Sequence, residues 1–186
     1  TLIAFGYKVT HIMNITDVDD KTIQRANVSG KSLSEITNHF TDLFWNDLAV
    51  LNIIPADHYP KATDHVRGMV KLIESLITKG YAYVTDDGSV FFKISSYSNY
   101  GALTNIDISQ MKQTDRVSSD EYGLDNIQDF VLWKAYKKED GDISWSSPWG
   151  KGRPGWHIEC SSMSMEYLGN HFDIHCGGID NKFPHH

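Results

Sequence analysis

Cysteine is scarce in this chain of 186 residues: only Cys160 and Cys176 occur, too few for the disulfide framework of a small secreted domain. Reduced thiols in a cytosol are the simpler expectation. Long apolar runs are missing too, since no stretch approaches the roughly 18 uninterrupted apolar residues of a membrane-spanning helix, and the chain reads as soluble. Positive charge is also short. Lys and Arg number 17 against 24 Asp and Glu, and the formal net charge of −7 argues against a general nucleic-acid coat, whose affinity comes from clustered cations releasing counterions. Any nucleic-acid contact is therefore expected to be local. Lys134, Lys137 and Lys138, the densest basic group, read as a solvated face. Internal repeats, low-complexity segments and metal-binding spacings such as CxxC or HExxH are absent. What is present is 40% hydrophobic content, enough for a sizeable core in one or two domains.

The periodicity divides the chain in three. Tyr7 to Asn14 alternates β-branched and polar residues and predicts a strand, ending in the acidic run Asp17, Asp19 and Asp20, with a loop after it. Ser32 and Glu35 form an S-x-x-E capping box before Ile36, Phe40, Leu43, Phe44 and Leu48, which recur at helical spacing. A second helix is expected between Asp64 and Lys79, with Gly80 at the left-handed C-terminal position. From Tyr81 the period becomes two: YAYV and SVFFKI flank Asp86, Asp87 and Gly88, which predicts a hairpin. Another strand is expected at Asp129 to Tyr136 and a turn at Asp140 to Asp142, within a polar, aromatic stretch that looks inserted. After a loop from Pro148 to Gly155, a helix is predicted over Trp156 to Leu168, closed by Gly169. A strand at Phe172 to His175 and a tight turn at Cys176-Gly177-Gly178 follow. Helices and strands alternating around a β-rich middle predict an α/β fold, a parallel sheet interrupted by an insertion.

Several residues are chemically suggestive. A Gly177-Gly178-x-Asp180 turn after a strand resembles the place where open α/β sheets bind nucleotides, although such a turn taken alone is more often plain loop geometry. His157, Cys160, His175, Cys176, His185 and His186 are soft or borderline donors of the kind Zn²⁺ prefers, though spacing alone selects no ligand set. Asp17, Asp19 and Asp20 suit metal binding or acid–base work, against the simpler roles of capping a helix or orienting a basic side chain. Thr16, leaving the end of the expected strand, would face the predicted site. Trp145, Trp149 and Trp156 are either loop packing or a pocket wall.

Three longer segments, NITDVDDK (Asn14 to Lys21), GRPGWHIECS (Gly152 to Ser161) and DIHCGGIDNKFPHH (Asp173 to His186), together resemble the cysteinyl-tRNA synthetases, in the right order over nearly the whole chain. The resemblance implies a class I synthetase Rossmann-type parallel sheet split by a mainly β connective insertion. The expected division is 1–80, first part of the catalytic domain; 81–150, insertion; and 151–186, second part. Thr1 is not an initiator and His186 falls within a motif, so both ends are expected to be truncations, with the HIGH-type and KMSKS-type motifs outside the chain and no catalytic residue named within it.

In that family a zinc held by two cysteines, a histidine and a glutamate binds the substrate thiol, and the matching positions here are Cys160 and His185. Thr16 and Trp156 match residues lining the cysteine pocket, Asp180 a contact to the substrate amino group, and Gly177 and Gly178 the nucleotide-binding turn. The implied reaction is cysteine–tRNA ligation: L-cysteine, ATP with Mg²⁺, and tRNA(Cys) as partners, one Zn²⁺ per chain, a cytoplasmic setting and no membrane. Alternatives are a cysteine ligase of mycothiol biosynthesis acting on an amino sugar and a non-catalytic synthetase paralogue. Cys176 departs from the family pattern by standing where glycine is usual, and reads as a small packing residue or an accessory thiol.

Overall fold

A computed structural model describes residues 1–102, 129–181 and 185, with the side chain of Asp180 outside them. The part of the expected insertion at 103–128 lies outside the described residues. Among the described residues four α-helices and five β-strands form an α/β arrangement: α1 Asp20–Ser29, α2 Leu33–Val50, α3 Val66–Thr78, β1 Ala82–Val84, β2 Val90–Phe92, β3 Phe130–Ala135, β4 Trp145–Ser147, β5 Gly150–Pro154 and α4 Trp156–Leu168.

Local chemistry sets these boundaries. Asp19 caps α1, accepting from the Thr22 backbone N–H at 2.6 Å while the Thr22 hydroxyl accepts from the Asp19 N–H at 2.8 Å. The loop expected after Asp20 is thus a helix. Ser32 and Glu35 cap α2 reciprocally, as their spacing predicts. α3 closes in a Schellman motif: Tyr81 N–H donates to the Leu76 carbonyl at 2.9 Å and Gly80 N–H to Ile77 at 3.0 Å, with Gly80 at φ +78°. In the β1–β2 turn Asp87 accepts from the Thr85 hydroxyl at 2.6 Å and from the Ser89 N–H at 3.0 Å.

The sheet is antiparallel throughout, in the order β1-β2-β3-β5-β4. The α/β class is as expected, while the expected parallel sheet is not among these strands. Neither Tyr7 to Asn14 nor Phe172 to His175 forms a strand; among the described residues parallel pairing is confined to two isolated bridges, Ile12 with His58 and Ile15 with Lys61. Parallel strands need both faces covered, and here Tyr7, Phe172 and Ile174 are exposed. The loop expected at Pro148 to Gly155 is instead the β5 side of a second hairpin.

The core lies between the sheet and the α3–α4 pair. Met69 and Ile73 of α3 and Ile158 and Met163 of α4 pack with Val90, Leu132 and Trp133, and Val18 joins them from the segment before α1. Trp145 and Trp149 pack against this cluster, which favours the packing role over a pocket wall. At the junction with α4, Gly155 donates to the Leu132 carbonyl at 2.9 Å, and a Cβ there would run into the Val131 carbonyl. Glycine is needed for that approach.

Candidate functional site

Trp156 and Cys160 stand one helical turn apart and so share a face of α4. The Trp156 indole stacks on the His185 imidazole with ring centroids 4.0 Å apart at 17°. His157 is buried against Phe130, and its Nδ1 is 3.2 Å from Nδ1 of His185, one ring donating to the other. The 14–16 segment approaches the same helix. There the Asn14 side chain lies on the Cys160 thiol's side of the segment and donates to the Thr16 hydroxyl at 3.4 Å. Thr16 also faces Glu159, although neither carboxyl oxygen of that fully buried residue has a partner at hydrogen-bonding geometry. Beyond Thr16 opens a cleft of about 460 Å³ between this segment, α1 and α2, with Arg25 over the Phe40 ring on its wall.

Burial neutralises the α4 side of the site. It raises the Cys160 thiol to about 11, helped by neighbouring Glu159, and lowers His157 to about 3, helped by His185 and Lys134. Glu159 is raised to about 9, first by burial and then by Asp17 and Asp19. A thiol, an imidazole and a carboxyl are thus all uncharged near pH 7. Coordination of a soft cation by this thiol would displace its proton.

The three aspartates have structural partners. Asp19 is the α1 cap, Asp17 accepts from the Thr63 N–H at 2.9 Å and its hydroxyl at 2.6 Å, and Asp20 meets Lys134 and Arg153. Thr16, Trp156, Cys160 and His185 therefore gather around α4, whereas Gly177 and Gly178 lie exposed in the segment after it. Asp180 belongs to a short 3-10 turn, Ile179–Asn181; Cys176 is exposed, and His186 lies outside the described residues. Among the described residues no group of three or more His, Cys, Asp or Glu side chains converges as a complete metal site would require. Cys160 and His185 are two donors of suitable chemistry. Asn14 and Glu159 were not singled out from the sequence; a lone glutamate between Ile158 and Cys160 in a predicted helix was the available signal.

Among the described residues no helix is long and apolar enough to cross a membrane. Residues 1–186 match the family model for the tRNA synthetases class I (C) catalytic domain. Over 187 aligned positions the chain is 53% identical to a cysteine–tRNA ligase of Chlamydia pneumoniae, covering 100% of this chain and 40% of the relative. The cysteine–tRNA ligase of Brachyspira hyodysenteriae is 52% identical over 184 positions, 98% of this chain and 39% of the relative. The chain thus spans about 40% of the length of the curated relatives it matches. With the family model matched from end to end and α4 at the centre of the site, the chain belongs to the class I (C) tRNA synthetase catalytic-domain family.

Proposed function

We propose that this chain is the amino-acid-recognition portion of a cysteine–tRNA ligase. The full-length enzyme activates L-cysteine with ATP and Mg²⁺, its carboxylate attacking the α-phosphorus to give cysteinyl-adenylate and pyrophosphate. It then transfers the cysteinyl group to the terminal ribose of tRNA(Cys), in the cytoplasm. The observation that carries this reading is the gathering of Thr16, Trp156, Cys160 and His185 around α4 in a chain about half identical to enzymes of that name. In the same reading 1–80 and 151–186 contribute to a Rossmann-type catalytic domain with a parallel sheet, and 81–150 is its inserted connective part. Gly177, Gly178 and Asp180 serve ATP and the substrate amino group.

Serine sets the selectivity problem. It is nearly isosteric with cysteine, and a pocket reading size or hydrophobicity gains only about 1–3 kcal/mol, or about 10- to 200-fold. Cys160 and His185 are the residues here that would hold Zn²⁺, the remaining donors lying outside the described residues. Zinc, when bound, supplies a Lewis acid that prefers a sulfur ligand to a hydroxyl. Around it this chain positions the substrate: the Trp156 ring fixes His185 by stacking, Asn14 orients the Thr16 hydroxyl, and buried His157 keeps water from that side.

In a full-length enzyme, Cys160→Ser and His185→Ala should each lower zinc content and cysteine-dependent pyrophosphate exchange together while the fold persists. Full zinc occupancy in both variants would overturn the ligand assignment. Transfer of activated cysteine to an amino sugar instead of tRNA(Cys) would overturn the acceptor.

A further inference from the structure

Lys134 and Arg153 are directly opposed on β3 and β5, an arrangement of like charges that destabilises an antiparallel pair unless an anion lies between them. Asp20 supplies it. One carboxylate oxygen accepts from Lys134 Nζ at 2.6 Å and the other from Arg153 Nη2, although Asp20 belongs to the first turn of α1 and not to the sheet. Arg153 is buried and also donates from Nε to Asp140 at 3.0 Å, so it spans the sheet's own turn and the helix. A second tie joins the same parts: Asn27 of α1 donates to the Glu139 carbonyl at 2.9 Å.

The position of this contact in the chain gives it a role. Asp20 follows Thr16 by four residues and Arg153 precedes Trp156 by three, so the contact joins the two segments that carry the proposed cysteine pocket. The intervening backbone has little slack, since Asp17 is bound to Thr63, Val18 is buried, and Gly155 presses on Val131. We propose that Asp20, held between Lys134 and Arg153, is a positioning residue that sets the separation of Thr16 from the Trp156–Cys160 face of α4. This rests on the reading of the chain as part of a cysteine-activating enzyme. Asp20 acts by holding two walls in register, where displacements of about 1 Å can cost up to about 100-fold.

Asp20 is the residue to change, because removing Arg153 would leave Asp140 buried without its partner. In a full-length enzyme, Asp20→Asn should raise the KM for cysteine about tenfold in pyrophosphate exchange, with the KM for ATP, kcat and zinc content near wild type. Asp20→Glu should restore much of the loss. Lys134→Met, which leaves the Arg153 contact, should raise the cysteine KM by a smaller factor and serves as the test if Asp20→Asn folds poorly. An unchanged cysteine KM in the folded Asp20 variant, or in Lys134→Met where that variant does not fold, overturns the proposal. So does an equal rise for cysteine and ATP. If the wild-type enzyme itself exchanges no pyrophosphate with cysteine, the reading of its function fails instead.

Discussion

α2 and α3 both carry helical apolar periodicity, more sharply one-sided in α3, and meet different surroundings. α3 runs from Val66 to Thr78 and buries Val66, Met69 and Ile73 against the sheet and α4. α2 runs from Leu33 to Val50 and buries only Ile36 and Thr37; Leu43 remains 45% exposed. Side contacts hold α2, including the T-shaped pair of Trp45 and Tyr59 at 4.2 Å and Lys61 donating to Asn38 at 2.8 Å. Periodicity identifies which face of a helix is apolar. It does not say whether another layer covers that face.

The comparison is open to direct tests. Ile73→Ala should cost about 2–5 kcal/mol in urea unfolding of this chain, since it opens a cavity in a filled core. A loss below about 1 kcal/mol would mean that α3 is no better packed than α2. Gly152→Ala should cost about 1–3 kcal/mol, because its Cβ would run into the Lys134 carbonyl and the Trp133 ring. A neutral result would show that β3 and β5 can separate. Ser32→Ala removes the α2 cap and should cost about 1 kcal/mol, with faster amide exchange through α2 than through α3. Equal protection of the two helices would break the contrast. Leu43→Ala should stay within about 0.5 kcal/mol.

The smallest effect concerns acid. Burial raises the Asp20 carboxyl, but its hydrogen bond and charge pairing with Lys134, joined by Arg153, outweigh that and leave it below its ordinary value of 3.8. The folded state therefore binds this proton less readily than the unfolded chain. The stabilisation is present above pH 3.8 and is lost as the pH falls from there through the lower folded value. In acid titrations the stability gap between wild type and Asp20→Asn should shrink below that pH; a constant gap would show that the charge contributes nothing.

Much of this was legible because it is local. The Ser32–Glu35 box, the Asp86–Asp87–Gly88 turn and the α4 span from Trp156 to Leu168 follow from neighbours in sequence. α1 was missed although Asp19 and Thr22 stand at capping spacing, since the acidic run read as the end of a strand. The parallel strands misled for the opposite reason: alternation at Tyr7 to Asn14 is a local pattern, whereas a parallel sheet depends on distant partners and covering layers. At the site, residue chemistry and position made Thr16, Trp156, Cys160 and His185 candidates, and family resemblance supplied their roles. Asn14 and Glu159 act through the approach of the 14–16 segment to α4, which no spacing along the chain encodes.

The stacked rings of Trp156 and His185 also make the site optically readable. Indole emission responds to an imidazole lying on its face at 4.0 Å and to whatever binds or moves that imidazole. The spectrum of the wild type minus that of Trp156→Phe isolates this indole from the four other tryptophans of the chain. The natural residues thus provide an intrinsic reporter of whatever binds or moves His185, without a label.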